Sequence, residues 1–466
     1  MKVSPEHRIP IQVQHSDSSQ QGQPIYMRFM KGKWQTWRVI LHRLLFFVYF
    51  ILPWLTWSEQ PLLLMDLKQA RFYILGSTFG TQDLFLVACF FIFAALLLLY
   101  VTMRYGRIWC GFLCPQTMWT FLFILCEHIF EGSRHQRMTL NRQPWSWRKV
   151  KIKVNKHLAW LFIAMITSLT FIAYFVPVRE LVTDVFFMQL SFSTSMSLLL
   201  IMAATYINAG WMREKVCQHL CPYSRFQSVM FDASTSVVMY QEQQGEPRIT
   251  HGRNSRSGKE EGMSQGGCID CKLCVQVCPA GIDIRDGLQY ECIQCGACID
   301  ACAHVMRKQR SDLRLITYQA SNKYAFIQDR VLRFKHSFYG ILCLLSCIAL
   351  CVYIVLRPTT FVEVARDRKQ LWHINAEGYI ENSYNLKISN TSQCAQTYII
   401  DMRTLRPYRL DKSSLYVPAG EVRYHTIHIS IAEHESRNPI SFIDLLVTGV
   451  DCTKDEVVKK ISFLSQ

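Results

Sequence analysis

Charge is scarce in this 466-residue chain, and acid is scarcer than base. Asp, Glu, Lys and Arg make up 18% of the residues, 35 acidic side chains standing against 51 basic ones. Half of the residues are hydrophobic, and they come in long unbroken runs, which excludes a single soluble globule. The net charge of +16 does not gather into one basic face. It crowds beside the apolar runs, which points to membrane topology and away from nucleic acid. The first run follows a polar tail of 37 residues with no small-residue cleavage site, so it is expected to be a retained anchor and not a removable signal. A disulfide framework is excluded as the main use of the 19 cysteines. Eight of them fall between Cys268 and Cys302, with two or three residues between neighbours in each group of four, which is the spacing of a cluster-binding module.

A bilayer core about 30 Å thick needs about 20 helical residues, because only internal hydrogen bonds satisfy the backbone there. Five stretches qualify, approximately Val39–Trp57, Leu84–Met103, His157–Pro177, Leu190–Ala209 and Ser337–Leu356. The tail carries Lys2, Arg8, Arg28, Lys31 and Lys33, while residues 104–156 hold 10 Lys or Arg and residues 210–335 hold 17. The loops 58–83 and 178–189 contain only Lys68 with Arg71, and Arg179. The positive-inside rule therefore predicts a cytoplasmic tail and, after five crossings, an outer C-terminus. The apolar run 108–130 is long enough for a sixth crossing, but Arg104, Arg107, Cys110 and Cys114 at one end and Glu127 with His128 at the other suit an interfacial helix.

Residues 241–267 are rich in Gly, Gln, Ser, Arg and Glu and read as a linker. Beyond Arg357-Pro358 short alternating runs, Asn385–Ser389, Thr397–Met402, Glu421–Ile431 and Ser441–Val447, are broken by Pro407, Pro418-Ala-Gly420 and Pro439. That spacing predicts a small β-sandwich. The expected organisation is a tail over 1–37, a four-span membrane domain over 38–230, a linker with a ferredoxin-like α+β domain over 231–335, a fifth transmembrane helix over 336–357 and an outer sandwich over 358–466.

The chemistry lies in the cysteines. Cys268-Ile-Asp-Cys271-Lys-Leu-Cys274-Val-Gln-Val-Cys278-Pro279 and Cys292-Ile-Gln-Cys295-Gly-Ala-Cys298-Ile-Asp-Ala-Cys302 are successive C-x2-C-x2-C-x3-C runs. In such runs three thiolates hold one [4Fe-4S] cluster and the fourth ligates the cluster of the other run. The expected sets are Cys268, Cys271, Cys274 and Cys302 for one cluster, and Cys292, Cys295, Cys298 and Cys278 for the second. Zinc also uses closely spaced cysteines, but this doubled order leaves no simple zinc-ribbon pairs. The region looks like a bacterial two-cluster ferredoxin, with Ala303 standing where the first run has Pro279.

A second constellation follows the second and fourth spans. Trp109-Cys110-Gly-Phe-Leu-Cys114-Pro115 and Val216-Cys217-Gln-His-Leu-Cys221-Pro222 form an internal repeat of a helix pair with C-x3-C-P appended. Cysteines at i and i+4 of one helix share a face, so the pairs could offer two to four thiolates to a soft ion. Cu(I) suits thiolates, and a cytoplasmic site keeps them reduced. The bland reading of a lone C-x3-C is helix packing, which the repeated placement weakens. His219 is expected to point away from Cys217 and Cys221. Cys343, Cys347 and Cys351 form a stripe at i, i+4 and i+8 that reads as helix packing, as do Cys89 and Cys126. Cys394 and Cys452 fall in the outer domain, where pairing is open.

With these motifs in view, the chain from about Met27 onward resembles the FixG/CcoG/RdxA family of cytochrome oxidase accessory proteins. The resemblance rests on the two C-x3-C-P motifs, the two-cluster insert before the last span, and Tyr416-Val-Pro-Ala-Gly-Glu421 in a stretch similar to that family's closing immunoglobulin-like domain. It implies a multi-pass protein of the bacterial inner membrane that reduces Cu(II) to Cu(I), a cupric reductase, for assembly of the binuclear centre of cbb3-type cytochrome oxidase. Cys110, Cys114, Cys217 and Cys221 would handle copper. An unidentified cytoplasmic donor would supply electrons, and the outer domain would dock an oxidase subunit or a copper chaperone. The first 300 residues or so are also similar to NapH-type quinol-linked subunits, which makes a quinol-oxidising role the competing reading. A non-enzymatic assembly scaffold is the third.

Overall fold

The computed structural model describes residues 25–466 apart from 58–59, 69, 76, 81–82, 233, 249–265, 321–329, 368–371, 376, 393, 405–406, 433–439, 453 and 466. Most of the expected linker, the first 24 residues of the tail and the break at Pro439 lie outside the described residues. The chain forms two compact units, one comprising Met1–Ile51, Cys89–Ile172 and Thr183–Ile348, the other Leu52–Ala88, Ala173–Val182 and Ala349–Gln466.

Among the described residues six helices are long and apolar enough to cross a membrane. Five correspond to the expected spans, as Lys33–Trp54, Leu84–Tyr105, Trp147–Ile172, Phe192–Met212 and Phe334–Leu356. The sixth, Ile108–Glu131, is the run read from sequence as interfacial, so by length and composition five spans become six candidates. It is not one continuous helix, because Ile108–Phe112 and Pro115–Glu131 are separate elements. Both its flanks are tied to segments near the cysteine runs. Arg107 N donates to Gln294 Oε1 at 2.9 Å at one end. Beyond the other, in the following helix Arg134–Arg142, Arg137 Nη2 donates to Met27 O at 2.5 Å, and Arg28 N donates to Gln276 O at 2.8 Å. The first span also ends earlier than expected. The α-helix Lys33–Ile51 passes into a 3-10 turn, Leu52–Trp54, that holds Pro53, and Thr56–Trp57 is already extended.

Two buried carboxylates inside the helical unit are paired with bases. Glu127 meets Arg213 at 2.5 Å and Arg137 at 3.2 Å, and Glu131 meets Lys153 at 2.8 Å and Lys156 at 3.2 Å. Buried carboxylates persist only with such partners. The cysteine-rich module has little regular structure. Ser236–Tyr240 pairs antiparallel with Ile316–Ala320 from Ser236↔Ala320 to Tyr240↔Ile316, and the helices Leu273–Gln276 and Ala297–Lys308 carry parts of the cysteine runs.

The second unit contains the immunoglobulin-like β-sandwich. One antiparallel sheet runs Tyr408–Leu410, Val422–Ala432, Tyr379–Asn390, Thr360–Arg366, with His373–Ile374 also on Tyr379–Asn390. The other runs Ser414–Val417, Gln396–Arg403, Ile440–Gly449, Glu456–Leu464. The four expected strands all lie in these sheets, and the period of two explains why. In Gln396–Arg403 the side chains of Tyr398, Ile400 and Met402 point inward while Ile399, Asp401 and Arg403 face out. Leu386, Ile427, Ile429, Leu445, Val447 and Phe463 are fully buried between the sheets. Cys394 and Cys452, left open by sequence, form a disulfide. In the same unit Arg357 grips Asp83 with Nε at 2.8 Å and Nη2 at 2.7 Å.

Candidate functional site

The two C-x2-C-x2-C-x3-C runs fold alike. Asp270 and Lys272 flank Cys271 with φ of 47° and 52°, and Gln294 and Gly296 flank Cys295 with φ of 53° and 73°. Left-handed residues on both sides of the second cysteine turn the backbone into a concave loop whose N–H groups suit an anionic group. The third cysteine of each run, Cys274 and Cys298, then enters a helix, and Cys302 lies one turn beyond Cys298 in Ala297–Lys308.

Burial and electrostatic neighbours show which of these thiols stand near one another. Burial pushes the Cys302 thiol up to about 11, with Cys268 and Cys271 adding to the effect. Burial pushes Cys274 up to about 12, with Cys302 and Cys271 among its neighbours. Cys278 is raised by burial and then by Cys295 and Cys292, and Cys298 by burial and then by Cys295, Cys292, Cys278 and Cys274. Cys278 thus stands near Cys292 and Cys295 of the second run, and Cys302 near Cys268 and Cys271 of the first. Thiols crowded in this way lose their protons only to a cation in their midst, which iron supplies. Among the described residues no three His, Cys, Asp or Glu side chains surround a point suited to one ion, the four C-x3-C-P cysteines included. A four-iron group differs, because each thiolate binds a separate corner. Arg285, its side chain 3% exposed, braces the first run by donating to Asp283 Oδ2 and Asp270 Oδ1, each at 2.6 Å.

The C-x3-C-P copies correct one sequence inference. Cys110 lies in Ile108–Phe112, but Cys114 is the N-cap of Pro115–Glu131 with ψ of 125°. Cys217 lies in the π-helical turn Val216–Leu220, and Cys221 is the N-cap of Pro222–Met230 with ψ of 112°. Neither pair shares a continuous helical face. The cause is the proline, which excludes the preceding residue from helical dihedrals and opens the next helix at its first position. Each copy is then closed by the same two bonds. Cys114 N donates to Trp109 O at 2.9 Å and Cys221 N to Val216 O at 2.8 Å. Thr117 Oγ1 donates to Cys110 O at 2.7 Å and Ser224 Oγ to Cys217 O at 2.5 Å.

The copies also come together. Cys110 stands close enough to Cys114, Cys217 and Cys221 for all three to act on it electrostatically, and its Sγ donates to Gln227 Oε1 at 3.3 Å. Burial pushes Cys217 up to about 11, with Cys114 and Cys221 adding to the effect. Arg107, 5% exposed, ties one copy to the other and to the second run by donating to Ser224 O at 2.6 Å and to Tyr290 O. Sequence reasoning passed over Gln227, Thr117 and Ser224, and took Arg107 only as an interfacial charge. Aligning the two copies would have shown a hydroxyl at the same offset in both. His219 is exposed. Cys126 packs with Phe123, Trp160 and Ala209, and along the last helix Cys343 is buried while Cys351 is exposed.

Residues 212–321 match the 4Fe-4S dicluster domain family, and residues 350–466 match the family described as the Ig-like fold at the C-terminus of FixG. Protein RdxA of Cereibacter sphaeroides is 33% identical over 79% of this chain and 80% of its own length. Protein RdxB of the same organism is 33% identical over 87% and 88%. The chain belongs to the FixG/RdxA family. The nitrogen fixation protein FixG of Rhizobium meliloti is 38% identical over 64% of this chain and 56% of that protein. A crystal structure of a FixG-related protein from Vibrio parahaemolyticus aligns with 23% of this chain and 98% of its own at 24% identity and a TM-score of 0.22. This FixG/RdxA member is a multi-pass membrane iron–sulfur electron-transfer protein with a 4Fe-4S dicluster domain and a C-terminal Ig-like domain.

Proposed function

We propose that the protein is a cupric reductase that converts Cu(II) to Cu(I) at Cys110, Cys114, Cys217 and Cys221, in support of assembly of a cbb3-type cytochrome oxidase. The observation that carries this reading is the meeting of the two C-x3-C-P copies, Cys110 Sγ bonding Gln227 and Arg107 bonding Ser224 O, beside the second cysteine run. Cys268, Cys271, Cys274 and Cys302 would hold one [4Fe-4S] cluster, and Cys278, Cys292, Cys295 and Cys298 the other. Bound there, the clusters supply one-electron carriers, and one electron suffices for each Cu(II). The thiolates retain Cu(I) because soft sulfur favours it over Cu(II), while Gln227 orients Cys110 and Arg107 holds the copies in place. Outer-sphere transfer requires no acid or base at the metal.

The same reading sets the tail and the dicluster domain in the cytoplasm of a bacterial inner membrane and the sandwich outside. The low-charge loops 58–83 and 178–189 accord with this under the positive-inside rule. The domain limits 1–37, 38–230, 231–335, 336–357 and 358–466 are proposed with it, as are a cytoplasmic electron donor and an oxidase subunit or copper chaperone as partners. A second reading, a quinol-linked subunit, draws on a cavity lined by Arg38, Gln116, Thr120, Phe121, Cys217 and Ile293, which offers an aromatic ring and polar groups together. The test adds Cu(II) to anaerobic protein with prereduced clusters and no excess reductant, comparing wild type with the Cys110, Cys114, Cys217 and Cys221 quadruple Ser variant. Cluster oxidation matched by Cu(I), and lost in the variant with its iron intact, is the expected result. Clusters that stay reduced with Cu(II) but discharge to a quinone would replace the copper reading by the quinol one.

A further inference from the structure

The two C-x3-C-P copies fold alike but differ after the first cysteine, where one has Gly111 and the other Gln218. A Cβ on Gly111 would stand 2.8 Å from the Ile293 carbonyl oxygen, 3.0 Å from Cys295 Cα and 3.2 Å from Cys295 N. All three are backbone atoms, which cannot swing aside as the tip of a flexible side chain does. Gly111 sits in the helix Ile108–Phe112, so its smallness, and not unusual dihedral freedom, is what the position uses.

The contact is secured from both sides. Arg107 N bonds Gln294 Oε1 at 2.9 Å, and the Arg107 guanidinium lies 4.9 Å from the Tyr290 ring centroid. Gly106, at φ of 60°, leaves room for the Gln294 amide, whose Oε1 would lie 2.6 Å from a Cβ there. On the far side of Gln294, Tyr318 Oη donates to its carbonyl, and Trp34 packs against Gly296, with Cγ 2.8 Å from where a Cβ would be. The backbone around Cys295 is therefore clamped against the residue next to Cys110.

We propose that Gly111 is a positioning residue that seats the second cysteine run on the first C-x3-C-P copy. It thereby makes the group of Cys278, Cys292, Cys295 and Cys298, and not that of Cys268, Cys271, Cys274 and Cys302, the one that faces the membrane-edge thiols. The internal repeat is thus functionally asymmetric: the first copy is the port to the iron–sulfur module, and the second completes the thiol set. This inference rests on the ligand sets proposed above.

The test is an EPR-monitored redox titration of the full-length protein, purified anaerobically with iron and sulfide measured, as wild type, Gly111→Ala, Gly111→Val and Gln218→Gly. Cys295→Ser, which alters one ligand, marks the signal of the second group. The expected result is two [4Fe-4S] signals in wild type, of which only the marked one shifts in midpoint and line shape, more with Val than with Ala, while Gln218→Gly shifts neither. The marked signal should also be oxidised more slowly by Cu(II) in both Gly111 variants and at the wild-type rate by ferricyanide. Should Val cost the marked group its iron, the Ala variant is read in its place. Signals unmoved with iron retained, both moved equally, or the unmarked one alone moved would overturn the inference. A wild type without two such signals would overturn the ligand reading first, and the inference with it.

Discussion

The iron–sulfur module and the β-sandwich hold themselves together by different means. The sandwich buries a continuous apolar set between two sheets, including Tyr384, Leu386, Tyr398, Ile429, Leu445 and Phe463, and adds one disulfide. The module has a two-stranded sheet and short helices, and its small core mixes Val238, Ile284, Met306 and Leu315 with Cys268 and Cys274. Where thiols occupy the interior, the apolar surface available for burial is small and the raised thiol pKa values oppose ionisation. The difference teaches that alternation alone can specify the sandwich, whereas the module needs what its cysteines bind before it is fully stable, since ligand binding is then folding free energy.

The sharpest way to break the comparison is to remove iron. Chelation under acid-free conditions should abolish hydrogen-exchange protection in Ser236–Tyr240 and Ala297–Lys308 while leaving the strands Tyr379–Asn390 and Ile440–Gly449 protected. Equal loss in both regions would erase the distinction. Next in size, Phe463→Ala should cost about 3–5 kcal/mol in the sandwich through the cavity it leaves, read as faster exchange in the strands Glu456–Leu464 and Ile440–Gly449 with both iron–sulfur signals unchanged. Replacing Cys394 and Cys452 by Ser should cost about 2–4 kcal/mol, because the bond closes a long loop in the unfolded chain. A reductant titration of sandwich stability checks it, and the double variant should lose that response.

The smallest effect concerns acid. The Tyr408 hydroxyl, with the Met402 N–H, holds the Asp401 carboxyl below the usual carboxylate range, and Asp401 in turn raises Tyr408. The folded-state value being lowered, the contribution is complete above about pH 4, the ordinary carboxylate value, and disappears as pH falls through the lowered one. At this exposed site it should stay below about 1 kcal/mol. Tyr408→Phe should flatten the acid limb of the sandwich's stability profile, and an unaltered limb would show that the pair contributes nothing.

Much of the site could be read before folding because its chemistry is local. Cys268 to Cys302 carry their spacing in the chain, and the apolar runs declare themselves by length. The shared helical face assigned to Cys110 and Cys114 was wrong, although Pro115 was there to read, because the cysteine spacing was weighed without the restriction proline puts on its predecessor. Gly111 was passed over for another reason. A glycine gives no sign of which backbone it admits until that backbone is in place.

The sequence by itself determined the apolar spans, the two cysteine runs, the repeated C-x3-C-P motif and the alternating strands, since each depends on periods and spacings within a few tens of residues. Only the tertiary structure decided that both copies of the motif gather around Cys110, that Cys394 and Cys452 pair, and that Cys295 lies against Gly111. Those contacts join residues 58 or more apart in the chain, where local preference has no reach and packing alone selects the neighbour.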